Sequence, residues 1–296
     1  MLRGLSVPVP TLFDAEGAVD PGRNARFTRQ LCDAGVDHIF VLGSLGEFAG
    51  LRDRERPVLL ESVIESLTRK ADAWVGCGAP STPQAVDRAL EAEEMGAAAL
   101  VVVPPYYLHP TAPSIARYYR AIREATRMPL LAYNIPSLVG YALSPELVHE
   151  LGRAKVLAGI KDTAGSLDSV RGFLAGRPEG FAVFPGDDAF ASAAIAAGAA
   201  GAVMGSANVL PRLAESLVRE ALAGRSDEAD RLQRLVDDLV EVLRAGPFPS
   251  SVKFLAARLR GSDVGYRSPY DPLSPAEEEA VTRALARVED RLRPFQ

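Results

Sequence analysis

One lysine stands where an apolar run breaks. Residues 156–166 read VLAGIKDTAGS, with Val156, Leu157 and Ile160 as the body of the run, Lys161 at its end and a glycine-containing turn beyond. A strand of that make-up delivers an amine into a pocket. Burial disfavours an ammonium, and a lysine that can lose its proton attacks carbonyl carbon to form a Schiff base. A strand-end lysine that reaches solvent, or pairs with Asp162, fits the same stretch. The rest of the chain decides between the two.

The elements that would position such a lysine recur. Apolar runs break at Thr11, Gly43, Cys77, Pro104, Tyr133, Lys161, Gly186 and Gly205, with separations of 32, 34, 27, 29, 28, 25 and 19 residues. Each interval holds one strand, one loop and one helix. Eight such steps predict an α/β fold, a (β/α)8 TIM barrel. The spacing predicts helices over 21–34, with Asp20 as N-cap and Pro21 at the first position, over 53–69, over 82–95 and from Ser144-Pro145 onward. Short runs such as 39–42, 99–103 and 130–133 are apolar on both faces, as strands covered by helices must be. After Gly205 the pattern changes. Residues 208–222 read as the eighth barrel helix, and 227–244, 251–260 and 275–291 as a C-terminal three-helix extension. The expected division is a catalytic barrel over 1–224 and a helical bundle over 225–296, with no flexible linker between them.

Chemistry in such a barrel sits at the C-terminal strand ends. Read in order, those ends are Gly43-Ser44-Leu45-Gly46-Glu47, Pro105-Tyr106-Tyr107, Tyr133-Asn134-Ile135-Pro136, Lys161-Asp162-Thr163, Pro185-Gly186-Asp187-Asp188 and Gly205-Ser206. One amine, several hydroxyls and a glycine-flanked loop would face one mouth.

These residues resemble the pyruvate-dependent class I aldolases and dehydratases that include dihydrodipicolinate synthase, N-acetylneuraminate lyase and 2-keto-3-deoxygluconate aldolase. The resemblance spans nearly the whole chain: the GxxGE loop at 43–47, Tyr106-Tyr107, YNIP at 133–136, GIKDT at 159–163, GDD at 186–188 and the segment 248–260. It implies that Lys161 joins a 2-oxo acid as a Schiff base, with no metal and no other cofactor. Tyr133 would move protons, though a phenol bonded to backbone fits its position too. The N–H groups of Ser44 and Leu45 and the Ser44 hydroxyl would hold the carboxylate, in a loop that also reads as a simple tight turn. Glu47 would hold that loop in place. Gly43 and Gly186 belong to the substrate-facing loops. Tyr107 would cross to a neighbouring subunit and join Ser44 and Tyr133, which implies a dimer or a dimer of dimers, a homotetramer. The plain alternative is an aromatic pair packing the loop 104–110. Thr163 and Ser206 stand where related lyases contact substrate, or where a helix is capped.

Two departures bear on the substrate. Leu45 replaces a second hydroxyl residue of the loop, removing a hydrogen bond of about 1 kcal/mol. The synthase branch carries an arginine two residues after the YNxP proline, where this chain has Leu138. An arginine fork on a carboxylate is hard to replace, so aspartate semialdehyde is a poor expected partner. Asp188 could accept from sugar hydroxyls, and with Asp187 would repel a phosphate. Both could instead cap the next helix. Ala189 stands where neuraminate lyases have glutamate, which argues against sialic acid. The expected reaction is cleavage of a 2-keto-3-deoxy sugar acid, or a related 4-hydroxy-2-oxo acid, to pyruvate and an aldehyde. The alternatives are a dihydrodipicolinate synthase, a sugar-acid dehydratase and a non-catalytic barrel that binds a 2-oxo acid.

Composition excludes other classes. A net charge of −5 without a block of Lys or Arg offers no footprint for nucleic acid. Cys32 and Cys77 make no disulfide framework, and the isolated His38, His109 and His149 make no zinc spacing. The apolar stretch 189–204 is too short and too broken by glycine to span a bilayer. Residues 1–10 lack a signal-peptide pattern, so the expected location is cytoplasmic.

Overall fold

The computed structural model describes residues 2–296. Its strands are β1 (Gly4–Pro8), β2 (His38–Val41), β3 (Asp72–Gly76), β4 (Ala99–Val102), β5 (Leu130–Asn134), β6 (Gly159–Asp162), β7 (Ala182–Pro185) and β8 (Gly201–Val203). All pairs are parallel, in the order β7-β6-β5-β4-β3-β2-β1-β8. At the ends of that order the Ala200 N–H donates to the Val183 carbonyl at 2.9 Å, so the ring closes on a thin seam between β7 and β8. This is the (β/α)8 barrel that the eight-step spacing predicts.

The helices are α1 (Pro21–Asp33), α2 (Arg56–Ile64), α3 (Thr82–Glu94), α4 (Ala112–Ala125), α5 (Pro136–Val139), α6 (Pro145–Arg153), α7 (Leu167–Leu174), α8 (Ala191–Ala196), α9 (Pro211–Leu222), α10 (Ser226–Arg244), α11 (Ser250–Arg260), α12 (Pro275–Ala286) and α13 (Glu289–Leu292). Asp20 caps α1 by accepting from the Arg23 N–H, and Ser144 caps α6 by accepting from Leu147. Side chains along a strand alternate between two cores. On β5, Leu130 and Ala132 face the helical layer, whereas Leu131 and Tyr133 face the barrel interior with Phe40, Trp74 and Phe184.

The boundaries correct several expectations. Val156 and Leu157 precede β6 and pack in the outer core, so the strand that carries Lys161 is shorter than the apolar run. The helix expected over 53–69 opens as a 3-10 turn and ends at Ile64, where the Ser66 hydroxyl turns back onto the Ser62 carbonyl at 2.7 Å. The eighth barrel helix starts at Pro211, because Asn208 belongs to a separate 3-10 turn whose side chain donates to the Pro8 carbonyl. The last expected helix breaks at Val288, which leaves helical geometry with φ −124, so the extension is α10, α11, α12 and the short α13.

α10 lies against the seam side of the barrel. Gln233 donates to the Asp188 carbonyl at 2.9 Å and accepts from the Ser192 N–H at 3.0 Å. The extension therefore roofs the mouth at which the strands end.

Candidate active site

The alternation that buries Ile160 against the helices turns Lys161 inward. It stands in register with Tyr133 on β5 and Phe184 on β7, and only 5% of the residue is exposed. Its Nζ lies 4.0 Å from the centre of the Tyr133 ring and 5.0 Å from that of Phe40. Asp162 does not neutralise it: that side chain accepts from the Asn134 amide at 2.7 Å on the other side of the strand. Of the two buried lysines, Lys253 pairs with Glu47, and Lys161 has no carboxylate partner among the described residues. Two aromatic faces thus hold an amine that opens onto a cavity of about 520 Å³.

Tyr133 and Ser44 meet across that cavity, hydroxyl to hydroxyl, at 3.4 Å, a contact that can shorten when a bound group draws the two together. Ser44 and Leu45 both line the cavity, and neither of their N–H groups donates to any other group among the described residues. Adjacent free amides form an anion-receptive concavity. The loop is fixed from behind. Thr11 donates to the Gly46 carbonyl at 2.6 Å, and Glu47, with φ 55, pairs with the Lys253 ammonium at 2.6 Å. Lys253 also donates to the Gly265 carbonyl at 3.0 Å. Burial pushes the Glu47 carboxyl up and the Lys253 ammonium down, while each opposes the other's loss of charge.

Of the residues singled out in the sequence, Lys161, Tyr133, Ser44, Leu45, Thr163, Gly186, Asp188 and Ser206 share this cavity. Gly43 does not. A side chain there would meet the Phe40 ring at 2.9 Å, so this glycine spaces the loop from the barrel floor. Gly186 has a comparable task. A Cβ on it would lie 2.1 Å from Thr163 Oγ1 and 2.7 Å from Lys161 Cε. The hydroxyl of Thr163 is buried without a partner and caps no helix, and the Ser206 hydroxyl lies beside the Asp188 carboxyl.

Asp188 differs from expectation. Its two oxygens accept the N–H groups of Gly205 at 3.0 Å and Ser206 at 2.7 Å, tying the β7 loop to the β8 loop where the seam lacks a ladder. Burial pushes its carboxyl up, and the Ser206 hydroxyl together with those two N–H groups pulls it back only in part. Asp187 accepts from the Ala189 N–H at 3.1 Å, as a cap does. Asp188 is thus engaged through both oxygens, which weakens the expectation that it accepts from sugar hydroxyls, whereas Asp187 keeps one oxygen on the cavity wall.

Tyr106 packs edge-on against Phe48, with ring centres 6.0 Å apart, whereas Tyr107 is 90% exposed with φ 77 and lies outside this chain's cavity. Sequence reasoning did not find Phe40, the Lys253 partner of Glu47, or the cavity wall built by Val240, Leu243, Phe248 and Val252. A 3.6-residue apolar period marks α10 as amphipathic, but nothing in that period says which of its apolar residues overhang the mouth. Among the described residues no three His, Cys, Asp or Glu side chains are grouped to hold a metal ion, and no helix is long and apolar enough to cross a membrane.

A barrel whose one unpaired interior amine opens among hydroxyls and free amides has the construction of a lysine-dependent carbon–carbon lyase. Comparison with known proteins agrees: the model of the dihydrodipicolinate synthetase family matches residues 1–288, and the chain belongs to that family. Its members are lyases of the class I aldolase type, and this chain is such an enzyme. It is 34% identical to the 4-hydroxy-tetrahydrodipicolinate synthase of Aromatoleum aromaticum, over 97% of this chain and 98% of that one. It is also 34% identical to an uncharacterized DapA-like lyase of Halobacterium salinarum, over 96% and 93%. Among solved structures, a prophage protein of the dihydrodipicolinic acid synthase family from E. coli K12, in complex with pyruvate, superposes with a TM-score of 0.91 at 27% identity, covering 97% of this chain and 98% of that one. A Ruminococcus gnavus sialic acid aldolase, solved as a catalytic lysine mutant, gives 0.92 at 25% identity, over 100% and 98%.

Proposed function

We propose that the protein is a Schiff-base aldolase that cleaves a 4-hydroxy-2-oxo acid to pyruvate and an aldehyde. The observation that carries this reading is the Lys161 amine, buried without a carboxylate partner and held over the Tyr133 ring at 4.0 Å. Lys161 adds to the C2 carbonyl, and loss of water leaves an iminium. The C3–C4 bond then breaks. Tyr133, which gave its proton to the hydroxyl that left as water, takes the proton of the C4 hydroxyl as the electron pair moves onto C3 and the iminium as an enamine and the aldehyde departs. It then returns that proton to C3, and water releases pyruvate from the restored iminium. The free N–H groups of Ser44 and Leu45 hold the carboxylate throughout, and the unpartnered hydroxyl of Thr163 is a donor for the substrate's oxygens.

Treatment with pyruvate and borohydride is expected to add one reduced pyruvate per chain, read by mass spectrometry, and none in Lys161→Ala. No adduct, or one that persists in the variant, overturns the reading. A second reading is 4-hydroxy-tetrahydrodipicolinate synthase, favoured by the names of relatives at 34% identity. Leu138, on the cavity wall where a carboxylate-binding arginine would serve that reaction, argues against it. Efficient turnover of pyruvate with aspartate semialdehyde would restore it. Assembly as a dimer or dimer of dimers, with the exposed Tyr107 serving a neighbouring copy, forms part of the proposal.

A further inference from the structure

The half of the cavity beyond the reacting amine is built by elements past the strand ends, and their contributions are apolar. Leu138 comes from α5, Val240 and Leu243 from α10, Phe248 from the connection before α11, and Val252 from α11 itself. Leu138 and Phe248 are 64% and 60% exposed, large apolar side chains left open at the rim of a polar reaction centre. The charged groups on the same wall are few and partly engaged. Asp188 holds the Gly205 and Ser206 amides with both oxygens, Asp187 gives one oxygen to Ala189, and Arg244, at the solvent edge, pairs with Glu241 on its own helix at 2.9 Å. The uncharged polar side chains on this wall are Ser137 and Ser251.

A polyol tail placed there would exchange water for hydrocarbon at most of its hydroxyls, which is unfavourable for each one left unbonded. An apolar tail would gain in proportion to the area it hides. We therefore infer that the aldehyde half of the substrate is apolar, an aryl or branched alkyl aldehyde, and not a sugar. The inference rests on the aldolase reading above and concerns the substituent on C4 alone. The bonds made and broken are those already described. The cavity connects this wall to Lys161 without interruption, so the tail of a substrate attached at Lys161 is what occupies it.

The test compares pyruvate release from 4-hydroxy-2-oxo-4-phenylbutanoate with release from 2-keto-3-deoxygluconate, alongside borohydride trapping of pyruvate on the same preparation. The expected kcat/KM ratio favours the phenyl compound by about ten- to a hundredfold, the range over which apolar pockets discriminate. Leu138→Ser is expected to reduce that ratio about threefold or more by removing one apolar contact and adding a hydroxyl. Trapping together with a ratio below about ten overturns the apolar-tail inference and leaves the aldolase reading standing. An unchanged ratio in Leu138→Ser removes the wall from the explanation and overturns the inference as well. Absence of trapping overturns the aldolase reading, and the inference with it.

Discussion

Lys161 and Thr163 reach the same side of the cavity because the β7 loop leaves room for both at Gly186. The backbone there is not in the left-handed region, so alanine can be introduced without conformational strain, and the fold should survive. The added methyl would nevertheless sit 2.7 Å from Lys161 Cε and 2.1 Å from Thr163 Oγ1, and one or both must move. A displacement of about 1 Å at a reacting group can cost roughly a hundredfold in rate. Gly186→Ala is expected to lower kcat by about that factor, with unfolding temperature little changed and slower borohydride trapping at Lys161. Wild-type kcat would show that Gly186 has no part in seating the amine. At this scale the sequence placed Lys161 and Tyr133 at strand ends but not the spacing around them. Lys161 and Tyr133 were legible because an amine and a phenol at strand ends have few other uses together. The work of Gly186 depends on neighbours across two strands, the partners of Asp188 lie 17 and 18 residues later in the chain, and nothing in the sequence places the Phe40 ring where a side chain on residue 43 would go.

The loop that presents Ser44 and Leu45 is an element held by a helix more than two hundred residues away. Glu47 and Lys253 are both buried, and removing one partner of such a pair costs about 3–5 kcal/mol. In Lys253→Met the unfolding temperature should fall by roughly 5–15 °C, and kcat/KM for substrate should fall about tenfold as the loop loosens. The deficit should depend on pH. Glu47 keeps its burial and loses its cation, so its folded-state pKa stands above its unfolded value. The folded chain then binds more protons than the unfolded one, and stability falls as pH rises from the unfolded value upward. Differential scanning at pH 5 and pH 8 is expected to give the larger deficit at pH 8. Equal deficits would mean that the pair fastens the loop by packing and not by charge. The elements themselves were largely readable: the βα steps announce themselves through apolar runs and N-caps at Asp20 and Ser144. Their ends were not, since the turn after Ile64 and the break at Val288 depend on local backbone bonding that no period records.

For the whole molecule, the question is whether a single chain contains everything its reaction uses. The Ser44 and Tyr133 hydroxyls open toward a face that carries Tyr106, Phe48 and Tyr270 around a second cavity of about 340 Å³, which shares Ser44, Ile135, Leu138 and Phe248 with the first. On the same chain, Tyr107 is exposed on a loop whose backbone is held at φ 77. A large aromatic carried outward by a left-handed residue is costly to display without a partner surface. An isologous contact, in which each copy lends Tyr107 to the other, would use both features at once. Tyr107→Ala and Lys161→Ala should each be nearly inactive alone. Co-expressed in equal amounts, half of the dimers are mixed, and one of the two sites in each mixed dimer combines an intact Lys161 with an intact Tyr107, so roughly a quarter of wild-type activity should return. Activity that stays at the level of the separate variants, or Tyr107→Ala that is fully active, would mean that the tyrosine acts within its own chain or not at all.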